Sequence, residues 1–229
     1  MSDERSLWAW GYEGRRPDPE ALRSLVSSLL GVPVGPPASA TPLDEFAMPE
    51  PRMEVPDKLR GICSTDRRDR AMHTYGKAFR DQVRAFRGDF RVAPDVVARP
   101  RDEEEVGAVL AWAEAEGAAV IPFGGGTSVV GGVEAPGGER RAVSLDLERM
   151  DRVLEVDRES LAARIQAGAK GPWLERQLAE HGLTLRHYPQ SFEFSTLGGW
   201  IATRAGGHFA TLYTHIDELV ESLRVVTPR

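Results

Sequence analysis

The chain has 229 residues, of which 41% are hydrophobic and 28% charged, a composition typical of a globular protein with one large or two small domains. Its 29 Lys and Arg residues against 35 Asp and Glu residues give a net charge of −6, which argues against nucleic-acid binding. The single cysteine, Cys63, excludes an intramolecular disulfide and a cysteine-rich metal site. The charged beginning and the lack of a long apolar run favour a cytoplasmic protein with neither a secretory signal nor a membrane span.

Residues 1–89 are predicted to form an irregular N-terminal region of helical and extended segments. The apolar spacing over residues 19–30 predicts a helix that ends at Gly31. Seven prolines lie between residues 32 and 56, and because proline disrupts helices and central strands, this stretch is predicted to be an extended strap.

A second helix is predicted over residues 77–87, where Phe79, Val83 and Phe86 form an apolar stripe. Residues 60–91 carry nine basic and four acidic side chains, so this part of an acidic chain is locally positive. We favour a surface helix docked on the core by its apolar side; the alternative is a patch for an anionic lipid or a phosphorylated substrate. The basic stripe of this helix consists of Lys77, Arg80, Arg84 and Arg87.

Residues 90–229 show the patterns of an α+β domain. A strand at 95–98, a helix capped by Asp102 and ended by Gly117, and a strand at 119–123 predict a parallel βαβ unit.

The next part of this domain is predicted to be a mostly antiparallel sheet with a helix beside it. Its strands are expected at residues 142–147, 153–157 and 161–167, because short turns separate these runs. The helix is expected from Pro172 to about His181.

A glycine-rich segment directly follows the strand at 119–123 and runs from Pro122 to Gly132, with hydroxyl groups at Thr127 and Ser128. Glycines let the backbone approach a ligand and expose successive N–H groups, which suits a phosphate or pyrophosphate. A Walker A loop is excluded because the required lysine is missing, and Val129 with Val130 departs from a Rossmann fingerprint. A glycine-rich hairpin without a ligand remains the alternative for this segment alone.

A second segment, residues 187–207, has Gly198 and Gly199 in the first turn of a helix that Ser195 or Thr196 is expected to cap. Free backbone N–H groups in that turn would suit an anion, and its glycines would admit a flat ring; tight helix packing explains them equally well. Arg204 could meet a phosphate or a developing negative charge, or form a structural salt bridge.

Together the two segments resemble those of FAD-linked oxidases of the vanillyl-alcohol oxidase type, which carry the PCMH-type FAD-binding fold, and in particular their alkyldihydroxyacetonephosphate synthase branch. The pyrophosphate loop of that branch is similar to Pro122-Phe123-Gly124-Gly125-Gly126-Thr127-Ser128. Its second flavin segment is similar to Pro189-Gln190-Ser191-Phe192-Glu193-Phe194-Ser195-Thr196-Leu197-Gly198-Gly199-Trp200, although Gln190 replaces the usual aspartate. Its Thr-Arg-Ala-Ser sequence is similar to Thr203-Arg204-Ala205-Gly206.

The resemblance implies an FAD-dependent enzyme whose small-molecule substrate is a phosphorylated lipid. In that branch a fatty alcohol replaces the acyl group of an acylated dihydroxyacetone phosphate, in a reaction at the flavin that is redox-neutral overall. Peripheral membrane contact and a homodimer are further expectations. The alternatives are oxidation of a 2-hydroxy acid such as lactate or glycolate, and a non-catalytic remnant. The residues expected to hold FAD are Pro122, Phe123, Gly124, Gly125, Gly126, Thr127, Ser128, Pro189, Gln190, Ser191, Phe192, Glu193, Phe194, Ser195, Thr196, Gly198, Gly199, Thr203, Arg204, Ala205 and Gly206.

The family continues with a Glu-Gly-Thr-Leu-Gly segment, a substrate cap and tyrosine and histidine acid/base residues, which these 229 residues lack. We therefore expect the N-terminal portion of a longer enzyme, inactive alone, with Arg204 as its one catalytic candidate. Residues 219–227 are expected to form a core strand.

His187 is interpreted as a structural histidine rather than a group beside the flavin, and Cys63 as buried and inert. A turn is expected to be held by His208, Tyr213 and His215.

Overall fold

A computed structural model describes residues 4–208 and 215–228. The strands are β1 (Cys63–Ser64), β2 (Val96–Ala98), β3 (Ala119–Phe123), β4 (Ala142–Asp146), β5 (Val153–Asp157) and β6 (Ala162–Ile165). The α-helices are α1 (Pro19–Leu30), α2 (Arg67–Met72), α3 (Phe79–Phe86), α4 (Glu103–Ala115), α5 (Gly171–Ala179) and α6 (Leu197–Thr203). No helix in this part of the chain is both long and apolar enough to cross a membrane.

The main sheet has the order β1-β2-β4-β3, with β2 and β3 each parallel to β4 and β1 antiparallel to β2. The predicted βαβ unit of β2, α4 and β3 is therefore confirmed, and the Asp102 carboxylate accepts the Glu105 N–H at 2.9 Å as its helix cap. The prediction that residues 142–147 belong to an antiparallel sheet was wrong, because β4 lies between β2 and β3. All five residues of β4 are buried, as expected for a central parallel strand covered on both faces.

The antiparallel prediction is confirmed for the hairpin of β5 and β6. Helix α5 begins one residue before the predicted Pro172 and ends at Ala179. Helices α5 and α6 share a cluster of buried side chains that includes Leu174, Leu178 and Trp200. This cluster holds the second predicted cofactor segment in place.

The N-terminal region packs on the domain through its strap. Helix α1 has the predicted bounds and ends at Gly31, whose φ of 67° is left-handed, but none of its residues is buried. In the strap, Phe46 and Met53 are buried. The Arg52 guanidinium donates to both carboxylate oxygens of buried Asp95, at 2.8 and 2.9 Å. The strap is thus fastened to the sheet just before β2.

Two predictions about helix α3 were wrong. Phe79 is 81% exposed rather than docked on the core, and Lys77 is only 6% exposed rather than part of a basic surface stripe. Both differences follow from the backbone before the helix. There the Lys77 N–H donates to the Ser128 carbonyl at 2.6 Å, and the helix begins only at Phe79. Arg80 and Arg84 pair with Glu134, at 3.2 and 2.9 Å, which reduces the positive charge of this surface.

The strand expected at residues 219–227 does not form. A 3-10 turn covers Ile216–Leu219, and the following residues include Val225, which is 70% exposed. A strand needs a hydrogen-bonding neighbour, and none pairs with this stretch within the described residues. Cys63 is half-buried rather than buried as predicted, and its partial burial raises the pKa of the thiol to about 11, in agreement with an inert cysteine.

Candidate cofactor site

The glycine-rich loop begins where β3 ends, at the carboxyl edge of the parallel strands. This edge is where open parallel sheets bind ligands. The loop is held by its carbonyl groups: the Arg5 guanidinium donates to the Gly125 oxygen at 2.8 Å, and the Lys77 N–H donates to the Ser128 oxygen. The backbone N–H groups of residues 124–128, in contrast, donate no hydrogen bond to any described residue. The backbone N–H groups of the loop are therefore available to bind a ligand, as an anion site requires.

The loop packs directly on the second segment, so the structure brings the two predicted segments together. A Cβ atom at Gly124 would lie 2.3 Å from the Thr196 hydroxyl, and one at Gly125 would lie 1.8 Å from the Phe194 carbonyl oxygen. Gly126 has a φ of +64°, which favours glycine over other residues. Close packing and ligand approach therefore both require glycine here.

The first turn of α6 differs from its prediction as an anion site. The Thr196 hydroxyl caps the helix by accepting the Gly199 N–H at 3.3 Å, so Thr196 is the cap rather than Ser195. The N–H groups of Leu197 and Gly198 donate to the carbonyls of Ala169 and Ala167, at 2.9 and 2.8 Å. Because these amides are already used, the glycines of this turn serve close packing, with a Cβ at Gly198 only 2.8 Å from that of Ala167.

The aromatic residues of the second segment have separate surroundings. Phe192 stacks on Trp200 with ring centres 6.3 Å apart, and buried His187 contacts the same Trp200 ring at 5.1 Å, in agreement with a structural histidine. Phe194 instead faces the N-terminal region, with the Arg5 guanidinium 4.5 Å from its ring centre. Polar contacts connect Ser191 to Ser195 at 2.9 Å. Of the remaining predicted residues in this segment, Pro189 is buried, whereas Gln190 and Glu193 are exposed.

Residues 203–206 lie at the end of α6. The Thr203 hydroxyl donates to the Gly199 carbonyl at 2.9 Å, and the Ala205 N–H donates to the Trp200 carbonyl at 2.9 Å. Arg204 is 76% exposed and forms a salt bridge with Asp217 at 2.6 Å. The hydrogen bond from Arg204 lowers the pKa of Asp217, so the structural interpretation of Arg204 is the one that the geometry supports.

His215 and Gly206 form an isolated antiparallel bridge. His208 donates its N–H to the Tyr188 carbonyl at 2.6 Å. Tyr213, the third residue expected to hold this turn, lies outside the described residues.

A cleft of about 290 Å³ opens beside Gly124, Gly125 and Gly126. Sequence reasoning missed the charged side chains around it, although Asp146 ends β4 and Arg99 directly follows β2 at the ligand-binding edge. The charged and titratable groups that line the cleft are Arg5, Asp69, His73, Lys77, Arg99, Asp146, Glu148 and Lys170.

Most of these charges neutralise one another. The Nε2 atom of His73 lies 2.9 Å from the Asp146 carboxylate, and its ring packs on Phe123 at 4.3 Å. Arg99 pairs with Asp69 and, at 2.6 Å, with Glu148. Burial alone would raise the pKa of Asp69, but hydrogen bonds from Arg99 and Ser64 outweigh it and lower that pKa. This network fixes the ends of β2 and β4 next to the loop.

Similarity to known proteins defines the class to which this chain belongs. The family described as an FAD binding domain matches residues 94–229, more than half of the chain, and the chain belongs to this family of FAD-linked oxidoreductases. FAD is accordingly its cofactor, and the α+β fold is that of the PCMH-type domain.

Several relatives of the chain are alkyldihydroxyacetonephosphate synthases. The chain is 44% identical over 174 residues to the alkyldihydroxyacetonephosphate synthase of Dictyostelium discoideum, covering 76% of the chain and 28% of that protein. It is 42% identical to the synthase of Caenorhabditis elegans over 72% of the chain and 28% of that protein. A solved structure of an alkyldihydroxyacetonephosphate synthase superposes with a TM-score of 0.78 and 38% identity, over 83% of the chain and 36% of that structure. The chain thus spans under a third of the length of the two curated relatives.

Proposed function

We propose that this chain is the FAD-binding portion of an enzyme of the alkyldihydroxyacetonephosphate synthase type. The observation that carries the proposal is the loop of residues 124–128, whose backbone N–H groups donate to no described residue while its carbonyls are held. The 44% identity to a synthase over 76% of the chain supports the choice of this enzyme over a 2-hydroxyacid dehydrogenase.

In this proposal the loop from Pro122 to Ser128 binds the pyrophosphate of FAD through its amides. The segments at residues 189–199 and 203–206 support the ribityl chain and the flavin ring, because the first of them packs against the loop at Phe194 and Thr196. FAD, when bound, supplies the electron-accepting and electron-donating chemistry of the site. No catalytic role is assigned to Arg204, whose guanidinium is already paired with Asp217. The proposed substrate is an acylated dihydroxyacetone phosphate.

An absorbance spectrum after mixing with FAD and desalting tests the cofactor site in the 229-residue chain. We expect retained flavin absorbance at a stoichiometry near one, because the loop and the segment it packs on are both present. A folded chain that retains no flavin would contradict the proposal that these segments suffice.

Anaerobic addition of substrate tests the reaction type, and the protein for this test is the complete enzyme of which the chain is proposed to be a portion. We expect an acylated dihydroxyacetone phosphate to bleach the bound flavin and D-lactate to leave it unchanged. Bleaching by lactate with no response to the phosphorylated ketone would overturn the synthase proposal in favour of 2-hydroxyacid oxidation.

A further inference from the structure

Lys77 lies outside the family match at residues 94–229, yet it lines the cleft beside Gly124–Gly126. Its side chain is only 6% exposed. The ammonium group donates to the backbone carbonyls of Ser6 and Leu7, each at 3.2 Å. An ammonium group has three donors, so one N–H remains available for a ligand in the cleft.

Arg5 lies in the same cleft and also outside the family match. One of its terminal nitrogens donates to the Gly125 carbonyl at 2.8 Å, and its guanidinium lies over the Phe194 ring. Its Nε atom is buried and has no hydrogen-bond partner among the described residues. A buried donor of this kind calls for an acceptor from outside the chain.

These are the cleft's cations that lack a carboxylate partner. Arg99 is paired with Asp69 and Glu148, and the Lys170 ammonium lies 3.9 Å from Glu148. In residues 4–208 and 215–228, no carboxylate lies within salt-bridge distance of Arg5 or Lys77. Burying unpaired positive charge is costly, and two such charges side by side repel each other.

The titration of Lys77 agrees with this arrangement. Burial, with a smaller contribution from the charge of Arg5, lowers the pKa of Lys77 to about 8, although the charges of Glu13 and Asp81 oppose the shift. Burial likewise lowers the pKa of Arg5. An anion in the cleft would reverse both effects, because it would stabilise the charged forms.

We infer that Arg5 and Lys77 are cofactor-binding residues of the N-terminal region that supply the positive charge for the FAD pyrophosphate, while the glycine loop supplies the amides. The inference rests on the proposed placement of the pyrophosphate at residues 124–128. It makes residues before the matched family domain part of the cofactor site. It also gives a role to the buried side chain of Lys77.

The test compares Arg5→Gln, Lys77→Met and the charge-preserving Arg5→Lys with the wild-type 229-residue chain. Arg91→Gln is the matched control, because Arg91 is 76% exposed and pairs, among the residues that the structure describes, only with Asp89. FAD affinity is measured by flavin fluorescence at several salt concentrations, and inorganic pyrophosphate is tested by its effect on the melting temperature. Circular dichroism checks that each variant is folded.

We expect Arg5→Gln and Lys77→Met each to weaken FAD binding about 10-fold or more and to reduce its dependence on salt concentration. Arg5→Lys should recover part of that loss, and Arg91→Gln should bind FAD as the wild type does. A purely structural role for either cation would weaken binding without changing the salt dependence.

The outcomes separate this inference from the proposed function. Equal FAD affinity and salt dependence in all folded variants would overturn the inference and leave the glycine-loop site standing. A further outcome is that the wild type binds no FAD, that pyrophosphate stabilises it, and that pyrophosphate does not stabilise the two neutral variants. The inference then holds, but this chain alone does not suffice to bind FAD. A wild type that responds to neither ligand overturns both. If Lys77→Met does not fold, Arg5→Gln decides the matter.

Discussion

Gly125 is the residue of the glycine-rich loop at which an added Cβ atom would come nearest to the second segment. A Cβ atom there would meet the Phe194 carbonyl oxygen, which belongs to the backbone and cannot rotate away as a side chain can. We expect Gly125→Ala to displace one of the two segments and to weaken FAD binding at least 10-fold, a free-energy change of about 1.4 kcal/mol. Titration of FAD by fluorescence measures the change.

The chain offers a matched control for this substitution in Gly107, which lies inside α4 and has open space where the methyl group of an alanine would point. Gly107→Ala should bind FAD as the wild type does and stabilise the fold by about 0.5–1 kcal/mol, because alanine favours helix. Unchanged FAD affinity in Gly125→Ala would show that the loop tolerates a shift at this contact and that the packing does not define the site.

Residue types in the two segments were predictable, but the partners of single side chains were not. Arg204 had two interpretations in the sequence because its partner, Asp217, is 13 residues away, beyond the left-handed end of α6. Lys77 fitted a basic helical stripe, yet its side chain points to carbonyls about 70 positions earlier in the chain. Helical periodicity carries no information about such distant contacts.

A clamp between Arg52 and Asp95 is one of the contacts that fasten the strap to the sheet. Asp95 has a side chain only 1% exposed, and its carboxylate accepts two hydrogen bonds from the Arg52 guanidinium, one from the Arg52 N–H and one from the Ala142 N–H. Arg52→Leu would leave this carboxylate buried without its counter-charge. We expect a loss of about 2 kcal/mol in the free energy of unfolding at neutral pH, measured by urea denaturation.

The pH dependence of this loss follows from the pKa of Asp95. Burial alone would raise that pKa, but the hydrogen bonds from Arg52 and Ala142 lower it below 3.8. The clamp therefore contributes fully above that ordinary value and is lost as the pH falls through the lower folded pKa. We expect the difference between wild type and Arg52→Leu to be largest at neutral pH and to shrink as the pH falls toward the folded pKa of Asp95. Arg60→Leu, which removes an exposed pair with Asp57, should change stability by under about 1 kcal/mol at either pH.

Element types were predicted correctly from the sequence more often than element neighbours. The cap at Asp102 and the glycine ends of helices fix α1 and α4 locally, so their positions follow from short motifs. The place of β4 between β2 and β3 does not, because a buried strand of five residues, three of them apolar, is compatible with any neighbour that buries it. Strand order depends on long-range pairing that no local pattern records.

The N-terminal region and the FAD-binding domain form one binding unit if Arg5 and Lys77 contact the cofactor. Contacts already join the two parts without ligand: Arg5 reaches Gly125, and the Lys77 backbone reaches Ser128. FAD would add a bridge between them, because its pyrophosphate would lie between amides of the domain and cations of the N-terminal region. The boundary predicted between residues 89 and 90 would then cross the site.

Removal of FAD is therefore expected to lower the stability of the whole chain and to loosen its N-terminal region first. At a free FAD concentration 100 times its dissociation constant, linkage predicts a stabilisation of about 2.7 kcal/mol, or a rise in melting temperature of roughly 5–10 °C for a chain of this size. Differential scanning fluorimetry measures the rise. Limited proteolysis, with mass spectrometry of the fragments, should show cleavage before Lys77 in the apo form that FAD suppresses. A ligand protects both the N-terminal region and the domain only if it bridges them. A rise in melting temperature with unchanged cleavage before Lys77 would therefore place the cofactor on the domain alone.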